Sequence, residues 1–153
     1  MGFWSFLLGR PVKIGDAFFG EMQWVEITSD PPKSYFECER YFKPSGKKIG
    51  LSVTGLLGGP TPRQKDFFAQ VEANYSLLVA KFIPLIEAEF GAWLPLPVIK
   101  SFAAEFKPIG LDIPACDKLP ILWEITFDTL HDVNHTVTVR MLDDEPQYVR
   151  LDG

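Results

Sequence analysis

The segment Thr61–Gly91 constrains the fold more than any other stretch. Thr61-Pro62-Arg63-Gln64 reads as a helix start, with Thr61 as N-cap, Pro62 at the first helical position and Gln64 completing a capping box. Behind it Phe67, Val71, Tyr75, Leu78, Phe82 and Ile86 recur at intervals of three and four, and Phe68 and Val79 widen the stripe. Asp66, Gln70, Glu72, Asn74 and Lys81 fill the opposite side. Up to Ile83 such a helix is about 33 Å long, enough to cross a small sheet. Pro84 removes a donor and crowds the carbonyl of Ala80, which predicts a kink or break, and Gly91 is the expected C-cap. A one-sided helix needs an apolar surface to lie on, and the flanking segments must supply it.

They read as strands. Ile14–Phe19 and Met22–Ile27 form a hairpin with Gly20-Glu21 as its turn, followed by a loop at Ser29-Asp30-Pro31-Pro32-Lys33. In Tyr35–Phe42 the residues Phe36, Cys38 and Phe42 share one face, and Tyr35, Glu37, Glu39 and Tyr41 the other. After a turn at Lys43–Lys47, Ile49, Leu51 and Val53 point inward from Ile49–Thr54. Past the helix, Val98, Ile99, Phe102, Ala103 and Phe106 predict one short helix after Pro97, and the prolines make Pro108–Pro120 an irregular connection. Leu119–Asp128 and His135–Leu142 are strands joined by a turn at Asp132-Val133-Asn134, and Gln147–Leu151 is a last edge strand. The fold class is therefore α+β in one domain, 1–153. An antiparallel sheet of six or seven strands carries the kinked helix Pro62–Phe90 and a short helix on one face.

Composition narrows the function classes. The 153 residues carry a net charge of −5, and residues 111–153 hold most of the excess, with nine acidic against three basic side chains. An acidic surface disfavours nucleic acid and anionic lipid and suits a basic partner. No segment reaches the about 20 apolar residues of a membrane span, and no export signal is legible at the start, so the cytoplasm is the expected location. The apolar run Phe3–Leu8 is expected to be buried against the domain or to form a homodimer contact. Cys38 and Cys116 make neither a disulfide framework nor a metal knuckle.

Two chemical sites can be drawn from the motifs. Gly58, Gly59, Thr61, Arg63 and Lys65 lay out a flexible loop, a helix N-terminus and two cations, which together could cradle an anion. The loop lacks the Gly-Lys-Ser/Thr of a P-loop, and its first use is to turn the chain from sheet to helix. His131 and His135 stand four residues apart near Asp128 and Asp132 but flank a turn, so no metal site is expected. No catalytic residue and no cofactor motif emerge. The outward sheet face is the better candidate surface: Tyr35, Glu37, Glu39, Tyr41 and Glu124, beside Thr126, Thr136, Thr138 and Arg140, suit a basic protein patch.

Asp16-Ala17-Phe18-Phe19-Gly20, together with Gly59-Pro60-Thr61-Pro62-Arg63-Gln64 before a long helix, resembles small bacterial proteins of domain-of-unknown-function groups, some of them toxin-immunity-like. The resemblance implies a bacterial interaction protein and brings no catalytic residues. The function expected is a non-enzymatic protein-binding module of immunity or accessory type. Its rival is a small-molecule-binding protein or enzyme with an anionic ligand at Gly58–Lys65.

Overall fold

The computed structural model describes residues 12–93 and 98–153, so the expectation for Phe3–Leu8 lies outside the described residues. Among the described residues eight strands form one sheet whose spatial order is the chain order. They are β1 (Val12–Asp16), β2 (Gly20–Val25), β3 (Tyr35–Phe42), β4 (Lys47–Thr54), β5 (Phe106–Ile113), β6 (Leu122–Thr129), β7 (Asp132–Leu142) and β8 (Glu145–Asp152). Helix α1 (Pro62–Trp93) and the single turn α2 (Phe102–Glu105) lie between β4 and β5. β1–β4 and β5–β8 are antiparallel meanders, whereas β4 and β5 pair in parallel. A parallel pair needs a long crossover, and α1 provides it.

The sheet is thus mixed, with eight strands in place of an antiparallel six or seven. The missed strand is β5, inside the stretch read as irregular. Pro108 lacks a donor, and the β5–β6 register shifts between Pro108 and Gly110, so the ladder absorbs the proline at a bulge. The same bulge hides the strand from a period-two reading: Phe106, Pro108, Leu111 and Ile113 are all buried, but the interval between the middle two is three.

Other boundaries move for local reasons. The first turn is Ala17–Phe19, not Gly20-Glu21, because the Asp16 carboxylate accepts the N–H groups of Phe18 and Phe19 at 2.9 Å. Gly20 opens β2 at φ +80°. Helix α1 runs through Pro84 and past Gly91 to Trp93. Pro84 and Ala80 are both exposed, so the orphaned carbonyl faces water and the helix need not break. The predicted short helix shrinks to α2, and Phe106 leaves it to begin β5. Leu130-His131 forms the β6–β7 turn, and Asp132–Asn134 belongs to β7.

Side-chain alternation puts an aromatic-rich core between the sheet and α1. Phe36, Phe42, Ile49, Val53, Phe106, Ile125, Phe127, Val137 and Val139 point inward, and Phe68, Val71, Leu78, Phe82, Ile86 and Phe90 descend from the helix. Near its start the helix seats Phe68 edge-on to Phe18, Phe19 and Phe42, and Phe67 edge-on to Trp123. Further along, Phe82 meets Phe127 and Phe90 meets Phe106. Each such pair adds about 0.5–1.5 kcal/mol to area burial. The capping box forms as expected: Thr61 N–H donates to Gln64 Oε1 at 2.9 Å, and Gln64 N–H to Thr61 Oγ1 at 3.3 Å. Among the described residues no helix is long and apolar enough to cross a membrane.

Candidate functional site

Helix α1 covers one face of the sheet; among the described residues no helix covers the other, and its side chains fall into transverse rows set by the register. One row reads Lys13, Gln23, Glu37, Ser52, Asp112, Glu124, Arg140 and Tyr148 from β1 to β8. The next reads Glu39, Gly50, Gly110, Thr126, Thr138 and Arg150 from β3 to β8. Two glycines therefore stand side by side on the central parallel strands. Neither has a positive φ. A Cβ on Gly50 would come no closer than 3.5 Å to its surroundings, and one on Gly110 no closer than 3.9 Å. Neither the backbone nor the packing demands glycine here, and strand glycine weakens a sheet. What the pair leaves is open space.

That space is a shallow concavity of about 860 Å³ over β2–β6. Glu21, Glu37, Glu39 and Asp112 line it, with Lys48 as the one lining cation among the described residues. Glu21 lies 3.7 Å from Lys13, whereas Glu37, Glu39 and Asp112 form no ion pair among the described residues. Asp112 is exposed, yet it sits low between neighbouring strands. Partial burial there, reinforced by the charge of Glu124, raises its carboxyl above the ordinary aspartate value, against the pull of Arg140 and Arg150. Burial and the neighbouring Glu37 likewise raise the Tyr35 hydroxyl.

The β6–β8 side is different, because its charges satisfy one another. Burial works against the Glu124 carboxylate, but hydrogen bonds from Arg150 and Arg140 outweigh it and hold the group below the usual glutamate value. Arg140 Nη1 donates to Glu124 Oε1 at 2.8 Å, and Arg150 Nε donates to Asp152 at 2.9 Å. Thr138 Oγ1 bonds both Thr126 Oγ1 and Asp152 Oδ2, at 3.1 and 3.2 Å. Of the face anticipated from sequence, Tyr35, Glu37, Glu39 and Tyr41 flank the concavity, while Glu124 belongs to this internal network. Sequence reasoning missed Asp112, Gly110 and Gly50; the alternation Gly110, Leu111, Asp112, Ile113 was the available signal.

The Gly58–Lys65 region is arranged around its own chain. Lys65 Nζ lies 3.3 Å from Asp16 Oδ1, and Arg63 Nη1 donates to the Asp117 carbonyl at 3.5 Å. Thr61 and Gln64 satisfy each other, and Gly59 turns the loop at φ +92°. Both cysteines are free and partly buried, and burial pushes each thiol up to about 11, so neither is a nucleophile at neutral pH.

The histidines diverge to separate carboxylates: His131 Nε2 lies 2.7 Å from Glu105 Oε1, and His135 Nδ1 lies 2.7 Å from Asp132 Oδ2. Among the described residues no three His, Cys, Asp or Glu side chains converge as a metal site would require. The Ser101 N–H, the His131 ring and the Lys100 N–H hold the Glu105 carboxyl below its ordinary value of 4.5. A depressed folded-state value gives stability that is complete above the unfolded value and is lost as pH falls through the folded one. Glu105→Gln is therefore expected to lower the urea midpoint at neutral pH and to shrink its further fall below about pH 4.5. Asp16, Glu124 and Asp132 are depressed too, so the acid limb flattens without vanishing. An unchanged acid limb in the variant would refute the role of this contact.

No family model, curated protein or solved structure matches the chain. The site must be read from its own chemistry.

Proposed function

We propose that the protein is a non-enzymatic binding module, of immunity or accessory type in the bacterial cytoplasm, whose open sheet face takes a basic partner protein. One observation carries the reading: Glu37, Glu39 and Asp112, without counter-ions among the described residues, surround a floor emptied by Gly50 and Gly110. Clustered carboxylates of this kind raise the energy of the free protein and repel anions, and a lysine or arginine from a partner relieves both. Tyr35 and Tyr41, on the same face of β3 at either end of Glu37 and Glu39, add aromatic side chains of the kind enriched where proteins meet.

Affinity capture from the native host at low salt is expected to return a protein that salt elutes. Neutralising the face by Glu37→Gln, Glu39→Gln and Asp112→Asn together keeps its volume and is expected to weaken the complex by about tenfold or more. Filling the floor by Gly110→Val is expected to leave the melting temperature unchanged or higher while blocking capture. Undiminished capture by both variants would remove the reading. The rival, an anionic ligand at Gly58–Lys65, predicts a phosphate- or carboxylate-induced thermal shift that Arg63→Ala abolishes. With Lys65 and Arg63 engaged by Asp16 and the Asp117 carbonyl, no such shift is expected.

A further inference from the structure

The acidic concavity coincides with a seam in the sheet. The β2–β3 ladder lasts only from Val25↔Tyr35 to Gln23↔Glu37. Beyond it Gly20–Met22 keep β1 as their partner and Cys38–Phe42 keep β4, with no register between the two strands. On the inner side Arg40 plugs the gap. Its Nη1 donates to the Phe18 carbonyl, and its guanidinium lies 4.0 Å from the centre of the Phe18 ring and 4.9 Å from that of Phe68. On the outer side both lips, Gly20-Glu21 and Cys38-Glu39, line the concavity. Among the described residues about 17 Å of β3 backbone thus has a strand on one side only, although β3 is not an edge strand of the sheet.

An unpaired strand edge is a template for another strand. Proteins blunt such edges with proline, lysine, bulges or covering loops. Here the inward-pointing Arg40 fills the inner side of the gap, while Glu21, Glu37 and Glu39 border its outer side, which excludes acidic segments and favours basic ones. Glu37 and Glu39 stand two residues apart on β3 and therefore recur at about 7 Å, the repeat of alternate side chains along an added strand. Lys48, opposite Tyr41, bounds the cation-accepting stretch at its far end.

We propose that an extended segment of the basic partner docks in this seam. It pairs its backbone with β3 over Cys38–Tyr41 and places a lysine or arginine at every second position against Glu37, Glu39 and Glu21. The inference rests on the basic-partner reading and adds the partner's conformation. It separates two ways of using the same charges: general attraction to the face, and backbone pairing along one strand.

The test uses the full chain and a short capped peptide with lysine at every second position and threonine between. Fluorescence anisotropy reads affinity, and amide hydrogen exchange reads β3. Binding at low salt is expected to slow exchange at Cys38–Tyr41. A peptide of the same composition with its lysines clustered, and the alternating peptide N-methylated at every second amide, are each expected to bind about tenfold more weakly. Glu39→Gln, an exposed position, is expected to weaken the alternating peptide while leaving the melting temperature unchanged. Equal binding of all three peptides with unaltered β3 exchange overturns the seam and leaves the basic-partner reading intact. No binding of any cationic peptide, together with no salt-sensitive partner on capture, overturns both. A salt-sensitive dimer in sizing chromatography that protects the same amides would assign the seam to a second copy of the chain, and so would also overturn the proposal.

Discussion

Phe68→Ala is expected to cost about 3–5 kcal/mol of unfolding free energy, read from urea midpoints at constant slope. Phe68 is fully buried and lies 6.0–6.2 Å, centre to centre, from the edge-on rings of Phe18, Phe19 and Phe42. Truncation opens a cavity beneath the start of α1, where four aromatic rings meet and no small side chain can swing in. It also strips one face from Arg40, whose Nε is already buried with no partner among the described residues. Phe68→Leu refills much of the volume and is expected to lose less. Since a domain of this size is stable by about 5–15 kcal/mol, the alanine variant loses between about a fifth and all of its stability. A cost below about 1 kcal/mol would mean the cluster does not hold helix to sheet.

Gln64 carries the second large effect, through polar bonds instead of volume. Its side chain is 1% exposed and is spent three ways: Oε1 accepts the Thr61 N–H at 2.9 Å, and Nε2 donates to the carbonyls of Thr54 and Pro114 at 2.6 and 2.9 Å. Thr54 ends β4 and Pro114 follows β5, so one amide ties the helix start to both strands of the parallel pair. Gln64→Ala removes all three bonds and leaves carbonyls with poor access to water, at an expected cost of about 2–4 kcal/mol. Gln64→Glu discriminates the polar mechanism from a packing one, because it keeps the shape and the bond to Thr61 while setting a negative oxygen against two carbonyls. It is expected to be at least as destabilising as alanine at neutral pH and to recover on acidification, when the protonated acid can donate once. A pH-independent penalty would point to packing.

Gln64 also shows how the sequence could and could not be read. As a capping-box partner three residues after Thr61 it was legible, because that motif is local. Its bonds to Thr54 and Pro114 were not, since they exist only once β5 lies beside β4. The strands with unbroken alternation, Tyr35–Phe42 and Ile49–Thr54, were readable for the same reason: period two declares a half-buried strand without knowledge of its neighbours. β5 failed that test at its bulge, and with it went Asp112 and Gly110 of the candidate site. The N-terminal turn was misplaced at Gly20-Glu21 because the Asp16 carboxylate organises it over Ala17–Phe19, with Gly20 supplying its positive φ at the end.

By itself the sequence determined what is set within a few residues of the chain: the capped amphipathic helix, the inward and outward faces of most strands, and the acidic bias of the molecule. These follow from periodicity, capping chemistry and charge, all short-range. Only the tertiary structure decided the parallel β4–β5 junction, the pairing of Gly50 with Gly110, the self-neutralisation of Glu124 by Arg140 and Arg150, and the early end of the β2–β3 ladder. Each depends on which strands become neighbours and in what register, and register is settled by the whole core closing at once. The acidic face was visible in one dimension. Its open floor and its seam exist only in three.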